Sequence, residues 1–435
     1  ATDAAGVAVE KTLSVDVVDV VENSLPVGTT QFIGPLKLSQ DTWFVGETAN
    51  TNLSIAVAKP TPEVQVVVWE TDASGNNVEV AVELFDDGDL DKGDDVAGDG
   101  IYSNKLTVTP ESLDDKFYTA VLNGVPENPA QTESIKVDVV KHITDEALQE
   151  TLEFNAEVED ELEVAANAGQ TKEQTIAQIK TALEANSDEV ESVHASEDGL
   201  YWETKAGITV VLDTGIFDDE LSKGGSSVSG TETGNVSIAP TNQISGNTVN
   251  SNVALTIAPA AWKFEPLDET NEIADQLKQA GFMVVEERND SSGDVNVTVE
   301  DFKELDKYGV VVISSHGFKV GDRVCLSAGE LLTDAKKELY EADLADKRLL
   351  VTSKGEILVT PEFIDKYTDK MPNSLVYVSA CHSSANNSLA NAFLNSGAAA
   401  FVGYSDWVKS DFANARGIKM FDALAEDKSV GEVPG

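Results

Sequence analysis

The sequence predicts a multidomain chain: an all-β sandwich at the front, a helical connector, and at the back an α/β domain with a mostly parallel sheet covered by helices. Three observations predict it. Short period-two segments fill the front, a charged Ala/Glu/Leu/Lys-rich stretch at helical spacing follows, and from Val253 continuous apolar strands alternate with amphipathic helices. With 435 residues, 41% of them hydrophobic, the chain can bury a sizeable core and divides into two or three domains.

The front segments are Leu36 to Leu38, Asn52 to Val57, Val64 to Trp69, Val78 to Leu84 and Ser134 to Val139. Alternation punctuated by Gly, Pro and Asn signals antiparallel strands with one solvated face, and the expectation is an immunoglobulin-like sandwich over residues 1–142. Residues 143–195 read as the connector, with Ile176, Ile179 and Leu183 on one helical face. Residues 196–252 read as a strand pair, Gly199 to Trp202 with Gly207 to Leu212, then a Gly/Ser/Thr-rich linker. Its Gly224 to Gly230 stretch is the expected place for internal cleavage.

Residues 253–435 form the α/β domain. Expected strands are Val253 to Ile257, Phe282 to Val285, Val310 to Ile313, Leu375 to Val378 and Ala399 to Gly403. Expected helices run from Glu269 to Gly281, Val299 to Tyr308, Ser388 to Ser396 and Asp411 to Glu426. Such apolar strands belong to a parallel sheet with both faces covered.

Composition narrows the partners. There are 77 acidic against 30 basic side chains, a formal charge of -47, so nucleic acid is excluded: phosphate neutralisation needs a broad basic surface. No apolar run is long enough to span a membrane. The acidity suits solubility in a salty or calcium-rich medium, and a secreted or cell-surface prokaryotic protein is expected. Two cysteines, Cys325 and Cys381, supply no disulfide framework.

In open α/β sheets ligands bind beyond the carboxyl ends of the strands. After Ile313 comes Ser314-Ser315-His316-Gly317, and after Val378 comes Ser379-Ala380-Cys381-His382-Ser383. A thiolate is a strong nucleophile, and an imidazole titrating near neutrality can activate it or protonate a leaving amine. His316 and Cys381 are therefore the candidate dyad, and the N–H groups of Gly317 and Cys381 are candidate oxyanion donors.

A strand ending in His-Gly, a later strand ending in Ala-Cys, then a helix and a strand: in these features the block from Val253 to Glu426 resembles the caspase-like cysteine peptidases, which include caspases, gingipains, clostripain, legumain and separase. Ser379-Ala380-Cys381-His382-Ser383 departs from the caspase Gln-Ala-Cys-x-Gly and is more similar to the gingipain and clostripain side. The resemblance implies a caspase-like fold, Cys381 as nucleophile, His316 as general acid/base and Gly317 at the oxyanion. It also implies a protein or peptide substrate. The Ala261 to Glu269 loop carries Asp268 near a helix start, and Gly403-Tyr404-Ser405-Asp406-Trp407 resembles the gingipain segment whose aromatic residue walls the primary pocket. Asp268, Ser379, Asp406 and Trp407 are thus the expected substrate-binding residues, and an acidic, aromatic-walled pocket favours Arg or Lys at the cleavage point. Asp268 reads equally as a helix N-terminal carboxylate, and Trp407 as ordinary packing.

In the front domain, Asp87, Asp89 and Asp91 alternate along a loop as calcium ligands do, although Lys92 stands where an EF-hand has glycine; a solvated acidic turn is the other reading. Catalysis itself calls for no cofactor. Cys325 is expected in a loop as an ordinary thiol, and His382 as pocket lining. The sequence thus points to a cysteine endopeptidase, with activation of a latent form by cleavage as a further expectation. The alternative is a non-catalytic caspase-like surface protein that binds a partner.

Overall fold

The computed structural model describes residues 30–58, 60, 64–123, 130–196, 199–217, 236–240, 249–291, 295–426 and 428–430. They fall into two compact units, Ala1–Val139 and Val140–Gly435.

In the first unit the strands are β1 (Gln31–Leu38), β2 (Thr42–Phe44), β3 (Ala49–Ala58), β4 (Gln65–Thr71), β5 (Asn77–Leu84), β6 (Ile101–Val108), β7 (Lys116–Asn123) and β8 (Ile135–Val140). They make a three-stranded sheet ordered β1-β3-β6 and a five-stranded sheet ordered β2-β8-β7-β4-β5. The ladders β1–β3, β3–β6, β4–β5, β4–β7 and β7–β8 are antiparallel. Alternation decides which side chains go inside: Leu53, Ile55 and Val57 of β3, Val66 and Val68 of β4, and Tyr118, Ala120 and Leu122 of β7 share one core with Trp43. The unit is a β-sandwich, as its sequence texture predicts.

The second unit begins with α1 (Asp145–Asn167) and α2 (Lys172–Ala185), capped by Thr144 and by a Thr171/Gln174 capping box. It continues with β9 (Val190–Ser196), β10 (Gly199–Thr204), β11 (Thr209–Val211), β12 (Val236–Pro240), β13 (Val253–Ala258), α3 (Ala261–Phe264), α4 (Thr270–Gln279) and β14 (Met283–Arg288). Then come β15 (Val310–Ser314), β16 (Gly317–Val320), β17 (Arg323–Leu331), α5 (Asp334–Ala345), β18 (Leu349–Thr352), β19 (Glu356–Val359) and α6 (Pro361–Tyr367). The last elements are β20 (Leu375–Ser379), α7 (Ser388–Asn395), β21 (Ala400–Tyr404) and α8 (Ser410–Ala425).

One sheet has the order β14-β13-β15-β20-β21-β12. Its first five strands are parallel neighbours, and β12 is an antiparallel edge on β21. Leu255, Ile257, Val311, Ile313, Val376 and Val378 face one core with α6 and α7 residues, whereas Ala254, Val310, Val312 and Tyr377 face another with α4 and α8 residues. Helices therefore cover both faces, and continuous apolar strands are the result. Between β13 and β15 successive connections leave in opposite directions, the position at which open α/β sheets bind ligands.

Several expectations need correction. The stretch read as a connector is part of the second unit's core: Leu148, Val158, Leu162, Ile179 and Leu183 belong to the same cluster as β13 and β15 side chains. The strand pair read at Gly199–Leu212 joins a second sheet of seven strands, ordered β16-β17-β19-β18-β11-β10-β9, with β11 parallel to β18. Within the expected linker, Val236–Pro240 is the edge strand β12, and Gly224 to Gly230 lies outside the described residues. Val299 to Tyr308 forms two short 3-10 turns, Val299–Lys303 and Leu305–Lys307, in place of one helix. The Thr298/Asp301 capping box starts this segment correctly, but too few residues follow to continue it before β15.

Candidate active site

β15 and β20 pair in parallel with Ser314 opposite Ser379, so the residues that follow each strand emerge at one edge. By alternation, Ser314, Ser379 and Cys381 continue the face that carries Val312 and Tyr377. Ser315 donates its N–H to the Ser379 carbonyl at 3.1 Å and its hydroxyl to the Ser327 carbonyl at 2.8 Å. The His316 carbonyl accepts from Ser327 N at 3.0 Å. His316 is thus fixed where the chain passes from one sheet to the other. Its half-buried ring meets the buried Phe264 ring edge-on, with centroids 4.9 Å apart.

Gly317 binds the two motifs together. A Cβ there would stand 1.9 Å from the Cys381 carbonyl oxygen and 3.2 Å from the Ala380 Cβ, so only glycine allows this approach. Beyond Cys381 the chain turns through His382 at φ 58°, a left-handed conformation that histidine tolerates better than most residues. Ser383 secures the turn, donating to the Val378 carbonyl at 3.0 Å and accepting from Tyr404 N at 2.9 Å.

The Cys381 side chain is fully buried. Its Sγ accepts from Val408 N at 3.0 Å and donates to the Val408 carbonyl at 3.4 Å. His382 N donates to the Asp406 carbonyl at 3.1 Å, and the Trp407 ring stands edge-on to the His382 ring at 4.5 Å. His382 and Trp407 line a cleft whose other walls come from β16, β10 and β11, among them Phe318, Lys319 and Tyr201. Trp407 therefore does wall a cleft, and Asp406 beside it is exposed.

Asp268 and Ser379 do not face that cleft. The Asp268 side chain is 1% exposed and receives bonds from Arg288 Nη1 at 2.9 Å, Ser314 Oγ at 2.9 Å and Thr270 N at 3.0 Å. Its negative charge is met inside the fold by a cation at the end of β14, which corrects the expectation of an open pocket carboxylate. Ser379 is fully buried at the end of β20, beneath the site. Cys325 lies on β17 and not in a loop; full burial pushes its thiol up to about 12 and makes it inert. Both cysteines are free thiols.

In the first unit, Asp87, Asp89 and Asp91 do not converge. Lys92 Nζ bonds Asp87 at 2.6 Å and stands 3.6 Å from Asp89, and this lysine holds the Asp87 carboxyl below the ordinary carboxylate range. Asp89 accepts from Asp91 N at 3.0 Å, capping a short turn. The carboxylates that do meet are Asp86, Asp94 and Asp99, with oxygens within 4.8 Å of one another. Backbone N–H groups of Gly98 and Gly100 orient Asp86, and that of Gly88 orients Asp94. An all-oxygen trio of this kind suits a hard cation such as calcium and not zinc. The sequence signal for it was the run of turn glycines, which decides where each carboxylate points.

No protein-family model matches the chain, and no characterised protein matches it in sequence. Among solved structures it is similar to the CARDB domain of a Pyrococcus furiosus protein in complex with di-metal ions, at 16% identity over 26% of this chain and 94% of that one, with a TM-score of 0.18. The RIG-5 IG1 homodimer gives 13% identity over 25% of this chain and 96% of that one, also at 0.18. Likenesses of this size carry nothing about activity. Among the described residues no helix is long and apolar enough to cross a membrane.

Proposed function

We propose that the second unit is a caspase-like cysteine endopeptidase acting through His316 and Cys381. One observation carries the reading: the two residues leave adjacent parallel strands at the carboxyl edge of the sheet, with Gly317 pressed against the Cys381 backbone. No chemistry is assigned to the histidines outside this edge.

The Cys381 thiol loses its proton to His316, and the thiolate attacks the substrate carbonyl carbon. The resulting oxyanion meets backbone N–H donors in the region of Gly317 and Cys381. Collapse breaks the C–N bond, His316 protonates the departing amine, and a thioester joins the acyl group to Cys381. Water, deprotonated by His316, then hydrolyses the thioester and restores the thiol. The preference for a basic side chain rests on Trp407 and the neighbouring Asp406, with Asp268 withdrawn from that role.

Fluorogenic peptides carrying Arg, Lys, Asp or Asn before the leaving group test the reading. Cys381→Ala should lower kcat/KM by at least ~10³-fold, and His316→Ala by a similar factor, since the pair acts as a unit. Hydrolysis that persists in Cys381→Ala would exclude the mechanism. The complete burial of Cys381 favours a second reading, a non-catalytic binding protein, in which no peptide is cleaved even when the thiol is uncovered.

A further inference from the structure

We propose that Lys172, Trp407 and His382 form a clasp that holds the loop between β21 and α8 closed over Cys381, so that the chain folds into a latent state. The proposal rests on Cys381 being a nucleophile, because a structural thiol has nothing to be withheld from.

The closed loop occupies the sulfur directly. Val408 uses both its N–H and its carbonyl on Sγ, at 3.0 and 3.4 Å, and no surface of Cys381 is exposed. A substrate carbonyl reaches the sulfur only after Val408 withdraws. The loop is held at two further points: the Asp406 carbonyl accepts from His382 N at 3.1 Å, and the Tyr404 carbonyl accepts from Ser384 N at 2.8 Å.

Trp407, next to Val408, is where the closure is fastened. One side meets the His382 ring, 4.5 Å away and nearly perpendicular at 79°. The Lys172 ammonium lies over the indole, 5.3 Å from the ring centroid, within cation–π range. Lys172 opens α2 and is 8% exposed. A buried ammonium over an indole face is attracted by the ring quadrupole, and desolvation strengthens that attraction. The helices once read as a connector therefore supply the pin, while the loop keeps Asp406 exposed and Trp407 half-buried at the surface, where it can swing outward.

The test is the rate at which iodoacetamide alkylates Cys381, located by peptide mass mapping, in the intact chain, in Lys172→Met and in Trp407→Ala. Cys325 reports any wider opening, because it is buried on β17 behind the Phe318 wall of the same cleft. Removing the pin should label Cys381 about tenfold faster with Cys325 untouched, the size expected of a partly desolvated cation–π contact. Peptide hydrolysis should rise in the same variants. Faster labelling without any hydrolysis would leave the loop as a cover over Cys381 but overturn the peptidase reading and, with it, the latent state. Unchanged labelling in Lys172→Met, or a wild-type Cys381 as reactive as in the guanidinium-unfolded chain, would overturn the clasp. Lys172→Met keeps the apolar stem and removes only the charge over the ring, so it decides the matter even if Trp407→Ala disturbs the fold.

Discussion

Gly317→Ala is expected to abolish peptide hydrolysis and to lower the melting temperature of the second unit. The added methyl would lie 1.9 Å from the Cys381 carbonyl oxygen and 3.0 Å from its carbonyl carbon. Both are backbone atoms, so no rotamer change relieves the clash. Either β16 or the turn through Cys381 and His382 must shift, and that turn is already fixed by a left-handed residue and by Ser383. The demand is for space and not for unusual dihedrals. Overpacking of this kind costs about 1–3 kcal/mol, and contact with rigid backbone places it at the upper end. For a unit of this size each kcal/mol lowers the midpoint by roughly 2–4 °C. Calorimetry together with kcat/KM checks both halves; a wild-type midpoint with wild-type turnover would show that the two strand ends do not touch.

Asp268→Ala carries the second large effect, on stability more than on selectivity. The substitution leaves Arg288 and Ser314 facing a buried gap where a carboxylate accepted from both. Breaking a buried pair from one side costs about 3–5 kcal/mol, and the lower end applies because Arg288 is 22% exposed and can turn toward water. Ser314 lies two residues before His316, so turnover should fall as well. Urea denaturation reads the first effect. An Asp268→Ala chain that keeps its denaturation midpoint and loses only its preference for basic peptides would restore the pocket role read from the sequence. Replacing Asp268 and Arg288 together by Leu and Met should recover most of the stability, since a buried pair and an apolar pair of similar size are nearly equivalent.

What the sequence revealed and what it concealed divide along the range of the interactions. β15 and β20 were legible because each is a continuous apolar run, and with them the placement of His316 and Cys381 just past two neighbouring strand ends. The seven-stranded sheet was not. Val210 pairs with Val351 and Leu326 with Val359, and no local pattern announces a partner so far along the chain. Cys325 was read as a loop residue for the same reason: β17 becomes a strand through its neighbours β16 and β19. Asp268 was singled out correctly as a special carboxylate, but its partner Arg288 comes from the end of the next strand, and only folding discloses it. In the acidic loop the carboxylates that meet are not the ones that alternate in sequence. Lys92 pairs with Asp87 and Asp89, and turns at Gly88, Gly98 and Gly100, all at positive φ, bring Asp86, Asp94 and Asp99 together instead.

The pairing of β11 with β18 alters what a break in the backbone would mean. The stretch between β11 and β12 contains the Gly224 to Gly230 segment, and on either side of it the chain is anchored into a different sheet. A cut there would separate the polypeptide into two pieces without separating the particle. The β11–β18 ladder would still join the two fragments, and α1 and α2 would remain seated in the shared core. Covalent continuity and physical integrity are thus decoupled in this unit: a nicked molecule would persist as a two-chain assembly, held by a strand ladder, apolar contacts and ion pairs such as Lys337–Asp145 and Lys347–Glu203.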